Sequence, residues 1–156
     1  MRRIALAVFL TLAAPAMAQT AMNFGTITAD PNAPVEVDAA SLSVDQSTGR
    51  AVFSGDVTVG QGDLRLGAER IEITYDDAGE ITLMTASGGV TFATPTEAAE
   101  AQNAVYDLRA GSLVLTGDVL VTQSGNAISA GRMEVDLASG DAVLTGRVRT
   151  VFGGGQ

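Results

Sequence analysis

From Val35 onward the chain alternates apolar and polar residues with a period of two. Val35/Val37, Leu42/Val44, Phe53/Val57/Val59, Leu64/Leu66, Ile71/Ile73/Tyr75 and Ile81/Leu83 carry the pattern in the first half. Leu113/Leu115, Val119/Val121, Met133/Val135 and Leu144/Val148 repeat it in the second. Successive side chains on a strand point to opposite faces, so this spacing predicts strands with one apolar and one polar face. Turn residues fall between them, at Ser47-Thr48-Gly49, Gly60-Gln61-Gly62-Asp63, Asp76-Asp77-Ala78-Gly79, Ser124-Gly125-Asn126 and Ser139-Gly140-Asp141. One wet face is how antiparallel sheets read, and the dry faces must be buried against each other. The expected product is an elongated β-sandwich, a jelly roll or a β-solenoid with open ends. Roughly six strands per sheet at ~4.8 Å spacing predict a body on the order of 25–30 Å long.

The pattern recurs four times. An apolar residue and an Asp begin each copy, at Val44-Asp45, Tyr75-Asp76, Tyr106-Asp107 and Val135-Asp136. The Asp-to-Asp spacings are 31, 31 and 29 residues. A polar turn ending in Gly49, Gly79, Gly111 or Gly140 follows, then a strand with Gly55, Gly88, Gly117 or Gly146 two residues before a Val. A fixed period of this length signals stacked β-units sharing one long core. Each Asp is expected to accept hydrogen bonds from the backbone of its own turn. The second glycines share the parity of the apolar residues. That spacing fits either a β-bulge closing the sandwich or small inward residues that leave a groove for a slender apolar ligand. The stretch Glu97-Ala98-Ala99-Glu100-Ala101-Gln102, after Pro95, contains good helix formers without an apolar face. It is expected to form a turn or short helical cap, with a strand ending at Tyr106 as the rival.

The first residues read differently. Arg2-Arg3, the apolar run Ile4 to Ala14, Pro15 and Ala16-Met17-Ala18 predict a secretory signal peptide over 1–18, cut after Ala18. The run is short of the roughly 20 apolar residues a membrane helix needs. A flexible leader is expected over 19–34, one domain over 35–152 and a loose tail over 153–156. The predicted location is the periplasm. Cysteine is absent, so no disulfide contributes. The formal net charge is −9; without the two leader arginines, seven cationic residues face 18 acidic ones, a balance of −11. Such acidity argues against nucleic acid, whose binding relies on neutralising phosphates.

Candidate chemistry is sparse. With no His, Cys or Lys, triads, thiolate nucleophiles and Schiff bases are excluded. No catalytic residue, His/Cys metal site or cofactor is expected. A carboxylate pair acting on polysaccharide remains as a minor reading, as does calcium at Asp76-Asp77 or Asp136 to Asp141.

Three phrases, in order, resemble the OstA-like (LptA) family of lipopolysaccharide-transport proteins. They are Val35-Glu36-Val37-Asp38-Ala39-Ala40-Ser41-Leu42-Ser43-Val44-Asp45, then Gly49 to Leu66 with Phe53-Ser54-Gly55-Asp56-Val57-Thr58-Val59-Gly60-Gln61-Gly62 at its centre, then Ala68-Glu69-Arg70-Ile71. Asp56 stands where the family usually has Asn, and Ala40 and Ala68-Glu69-Arg70 where Ala-Asp is typical. The likeness is sharp over 35–75 and weaker to 149.

The resemblance implies an all-β fold, an elongated twisted β jelly roll of two antiparallel sheets with open ends, built here from ~30-residue repeats. It further implies a periplasmic bridge that carries lipopolysaccharide from the inner to the outer membrane, shielding the lipid A acyl chains between its sheets. The implied partners are inner-membrane LptC-type and outer-membrane LptD-type jelly-roll domains and further copies of the chain, head to tail. The expected interior groove residues are Phe53, Val57, Val59, Leu66, Ile73, Val90, Phe92, Leu115, Val119, Val121, Met133 and Val135. The alternative is a structural β-repeat scaffold or adhesin-like module without lipid.

Overall fold

A computed structural model describes residues 33–136 and 138–153. The expected signal peptide 1–18, nearly all of the leader 19–34 and residues 154–156 lie outside them. Among the described residues ten strands follow one another: β1 (Val35–Asp38), β2 (Ser41–Asp45), β3 (Arg50–Gln61), β4 (Leu64–Tyr75), β5 (Ile81–Ala93), β6 (Glu97–Asp107), β7 (Ser112–Gln123), β8 (Asn126–Asp136), β9 (Ala142–Thr145) and β10 (Arg149–Val151). All pairings are antiparallel and nearly all join sequence neighbours, giving the order β1-β3-β4-β5-β6-β7-β8-β10. β2 pairs with Arg50–Ser54 of β3 and β1 with Thr58–Gln61. At the other edge, β9 pairs with Arg132–Val135 of β8 and β10 with Ala127–Ser129.

The expected two sheets are therefore one continuous sheet. Each long strand is interrupted near its middle by a register shift, at Ser54/Val57, Gly67/Arg70, Ser87/Val90, Glu100/Asn103 and Thr116/Val119. Bulges bend strands and increase their twist. A line of them, strand after strand, creases the sheet into two half-sheets. The first half-sheet carries the Asp-initiated turns, and the second carries the hairpins at Gly62-Asp63, Thr94 to Thr96 and Ser124-Gly125. Except for Ala51 and Ala130, the buried apolar residues of both halves belong to one core cluster. Each half-sheet is eight strands wide, because the short edge strands supply one segment to each. Seven steps of ~4.8 Å make the body roughly 34 Å long, longer than six strands would give.

The four repeat glycines build the crease. Gly55, Gly88, Gly117 and Gly146 have φ of 84°, 83°, 81° and 79°, and the residues after them, Asp56, Gly89, Asp118 and Arg147, are also left-handed. The two residues face one on the neighbouring strand: Glu69 opposite Gly55-Asp56, Gln102 opposite Gly88-Gly89 and Gly131 opposite Gly117-Asp118. Gly146-Arg147 falls where β9 gives way to β10, and Ala39-Ala40 where β1 gives way to β2. These interruptions continue the crease to both edges, closed by Ala40 N–H donating to Gly55 O (3.0 Å) and Gly131 N–H donating to Gly146 O (2.7 Å).

The glycines therefore do not open a groove. A Cβ on Gly55, Gly88 or Gly117 would lie 2.7, 2.5 or 2.8 Å from the Cβ of Ala40, Glu69 or Gln102. Those three residues are exposed, so the space the glycines leave faces the outside of the crease and is already filled. Their apparent inward parity arose because the detour of an odd-numbered strand preserves its phase. On even-numbered strands the single opposing residue reverses it. Inward positions run Leu64, Leu66, Ala68 and then Ile71, Ile73 on β4, and Ile128, Ala130 and then Met133, Val135 on β8.

The helical cap expected near 96–104 is absent; the rival strand is present as β6. Its helix propensity yields to pairing on both sides and to volume. Ala99 stands between Phe92 and Val121, Ala101 beside Val90, and Ala104 beside Leu115. Small inward residues on β6 accommodate the larger ones on its neighbours.

Candidate lipid-binding interior

Inward residues form rows that cross the strands. Beside the crease, on the second half-sheet, Val57/Ala68, Val90/Ala101 and Val119/Ala130 are directly paired and buried. The next row out is Val37, Val59, Leu66, Phe92, Ala99, Val121, Ile128 and Thr150. On the first half-sheet, one row runs Leu42, Phe53, Ile71, Ala86, Ala104, Leu115, Met133, Leu144. Another runs Val44, Ala51, Ile73, Met84, Tyr106, Leu113, Val135, Ala142. Both run from one sheet edge to the other with Tyr106 as their only polar member.

All twelve residues expected to line an interior meet in this one cluster. Val57, Ile73, Val90, Phe92, Leu115, Val119, Val121, Met133 and Val135 are buried within it, and Phe53, Val59 and Leu66 pack against it half-buried. The expected lining left out Leu64, although the alternation marked it as apolar, and sequence reasoning missed Met84, Ile128 and the alanines 86, 99, 101 and 104; all belong to the same cluster. The phase reversal on β4, β6 and β8 concealed some of them. The alanines give no apolar signal strong enough to stand out in an Ala-rich chain. The rows stay apolar where they meet the N-terminal edge: Leu42 and Val44 of β2 are 56% and 61% exposed although they share the inner face.

Polar chemistry lies outside the cluster. Each repeat Asp closes its own turn. Asp45 Oδ1 accepts from Ser47 N–H, Ser47 Oγ and Thr48 N–H; Asp76 Oδ1 from Ala78 and Glu80 N–H; Asp107 Oδ1 from Arg109 and Ala110 N–H; Asp136 Oδ1 from Ala138 and Ser139 N–H. The Ser47 hydroxyl and the N–H groups of Ser47 and Thr48 hold the Asp45 carboxyl below its usual range. For Asp76 the Glu80 N–H leads, helped by Arg109, whose Nη2 lies 2.9 Å from Asp76 Oδ2. These carboxylates are committed to backbone and arginine donors and do not converge on a reaction centre. The other ion pairs, Arg50–Glu72, Arg70–Glu72 and Arg132–Glu134, are on the outer face.

An apolar interior between the half-sheets of a creased meander, with both sheet edges unpaired among the described residues, suits an elongated apolar ligand. The profile of a family described as LptA/(LptD N-terminal domain) LPS transport protein matches residues 36–141, more than half of the chain. The chain belongs to this family. Among solved structures, the fold is similar to a crystal structure of LptH from Pseudomonas aeruginosa, described as the LptA homologous periplasmic component of the conserved lipopolysaccharide transport device. The TM-score is 0.71 at 22% identity, covering 81% of this chain and 100% of that one. At that identity the likeness speaks for the fold, and it confirms the jelly-roll expectation. No curated protein sequence matches the chain. Membership in a family of lipopolysaccharide-transport proteins weighs against a scaffold without ligand.

Proposed function

We propose that this chain is a periplasmic lipopolysaccharide carrier, not an enzyme, and one link of a bridge between the inner and outer membranes. The observation that carries the reading is the pair of apolar rows crossing all eight strands of the first half-sheet and emerging at its edge as Leu42 and Val44. Acyl chains of lipid A would lie along these rows, between the half-sheets, with Phe53, Val57, Val59, Leu66, Ile73, Val90, Phe92, Leu115, Val119, Val121, Met133 and Val135 as their contacts. Each buried CH₂ contributes ~0.8 kcal/mol, so roughly ten methylenes supply about 8 kcal/mol. The interior side chains are packed against one another, so the half-sheets hinge about the crease and open at their rims to admit a chain.

The edges supply the continuation. Among the described residues, β1 and β2 at one edge and β9 and β10 at the other pair on one side only. Unpaired strand edges template pairing with another chain. The first edge presents exposed Glu36, Asp38 and Asp45; the last presents exposed Arg147 and Arg149. Opposite charge at the two edges favours head-to-tail docking of a second copy, or of the jelly-roll domains of LptC-type and LptD-type partners. Release of the lipid then meets an equally apolar neighbouring site.

Site-specific photo-crosslinking tests the interior. A photo-reactive residue at Phe92 or Val119 is expected to capture lipopolysaccharide, and one at exposed Thr58 is not. Crosslinks from Thr58 alone would refute the reading.

A further inference from the structure

One rim of the apolar interior is polar on its inner face. Ala99, Val121 and Ile128 of the second half-sheet are buried and point inward. Two residues further along β6, β7 and β8, on the same face, stand Glu97, Gln123 and Asn126. Glu97 pairs with Gln123, and Gln123 with Asn126. Glu97 is 9% exposed and is the one buried polar residue among the described residues. Gln123 Nε2 donates to Glu97 Oε1. Glu97 N–H donates to Thr94 Oγ1 at 3.1 Å, pinning the backbone where β6 begins.

The opposite rim differs. Tyr75, Ile81, Leu113 and Ala142, the inward residues nearest the Asp-capped turns, are apolar or aromatic and pack on the core. The interior is thus polarised, apolar from the crease to one rim and hydrogen-bonding at the other.

A carboxylate at the border of an apolar core is costly unless its oxygens are satisfied. Ionised, it offers about four acceptor positions on two oxygens. Gln123 takes one. Among the described residues Oε2 has no donor, and none of their buried side-chain oxygens lacks a partner, so Oε2 reaches solvent at the rim. It is an anchored acceptor facing the mouth of an apolar space.

We propose that the Glu97–Gln123–Asn126 rim recognises hydrogen-bond donors (hydroxyl, amide or ammonium) on the headgroup of the bound amphiphile. Recognition there sets the lipid's orientation, with its chains in the apolar rows and its polar end at the hairpin rim of the second half-sheet. This rests on the interior being the acyl site.

The test uses single-chain amphiphiles of one chain length, below micelle formation, titrated calorimetrically into the mature protein. The three headgroups are a glucoside, a primary ammonium and a trimethylammonium, the last cationic but without a donor. The wild type is expected to bind the first two about tenfold more tightly than the third, a difference of about 1.4 kcal/mol. Glu97→Gln, which can still pair with Gln123, loses most of that preference. Glu100→Gln, which removes the same charge from an exposed position on the same strand, keeps it. Gln123→Ala frees the carboxylate and lowers the preference several-fold. Equal binding of all three headgroups by the wild type, or equal selectivity in E97Q and E100Q, overturns the proposal and leaves the acyl site standing. Failure of every amphiphile to bind overturns both.

Discussion

Replacing Gly117 with Ala probes the device that shapes the molecule. Gly117 has φ +81°, and a Cβ there would lie 2.8 Å from Gln102 Cβ and 2.9 Å from Gln102 Cγ. The left-handed conformation alone costs an L-residue about 1–2 kcal/mol. Gln102 Cβ is fixed to the backbone of β6 and cannot swing away, so the strand must shift, adding roughly 1–3 kcal/mol. Gly111 separates the two terms. It ends an Asp-capped turn at φ +63° with nothing within 4 Å of its missing Cβ, so G111A should cost only about 1–2 kcal/mol. G117A should cost about 2–5 kcal/mol, and more than G111A, measured by urea unfolding. In a Gln102→Gly background the clash vanishes, and the G117A penalty should fall to that of G111A. The C-terminal end of the crease already has this arrangement, with Gly131 facing Gly146 and its Cα 3.2 Å from the position of a Gly146 Cβ. Equal losses for G117A and G111A, or no coupling between positions 102 and 117, would show that the crease is not held by this contact.

Val119→Ala should destabilise by about 2 kcal/mol through a cavity beside the crease, whereas Thr58→Ala on the outer face should stay within about 0.5 kcal/mol; equal melting temperatures for the two would contradict the placement of the core. Asp76 has its carboxyl pKa depressed in the fold, so it contributes stability that is present above its unfolded pKa near 4 and lost as pH falls through the lower folded value. Asp76→Asn keeps an acceptor for Ala78 and Glu80 but cannot titrate, so its melting temperature should fall less steeply than the wild type's below about pH 4; parallel acid profiles would exclude the assignment. Arg149→Glu should weaken the proposed head-to-tail association, measured by analytical ultracentrifugation, most strongly at low salt where charge is least screened, and unchanged association at every ionic strength would remove Arg149 from the interface.

Much of the wall was legible along the chain. The period-two alternation placed Val57, Val119, Val121 and Val135 on the dry face, because strand geometry is local and side-chain direction follows from it. The four Asp turns were equally local, since each Oδ1 accepts only from the next two to four residues. Parity failed on the strands opposite the bulges. Nothing at Glu69, Gln102 or Gly131 marks the place where two residues on the neighbouring strand face one. The alanines of β6 were ambiguous for a related reason: their propensity favours a helix, and only Phe92, Val90, Val121 and Leu115 on the adjoining strands supply the volume that makes a strand of alanines pack. Glu97, read as part of that helical stretch, gained its meaning from strands contributed 26 and 29 residues later in the chain, at Gln123 and Asn126.

The sequence by itself determined that this protein is a succession of β-strands with one apolar face, that its turns close on their own aspartates, and that no His, Cys or Lys is available for a triad, a thiolate or a Schiff base. Those properties depend on residues within a few positions of one another. Tertiary structure alone decided that the expected two sheets are one, that the repeat glycines form an outward crease instead of an inward groove, and that one rim of the interior is polar. Each of these depends on which residues lie opposite one another across strands. A two-against-one bulge changes that register without leaving a mark on the strand that receives it.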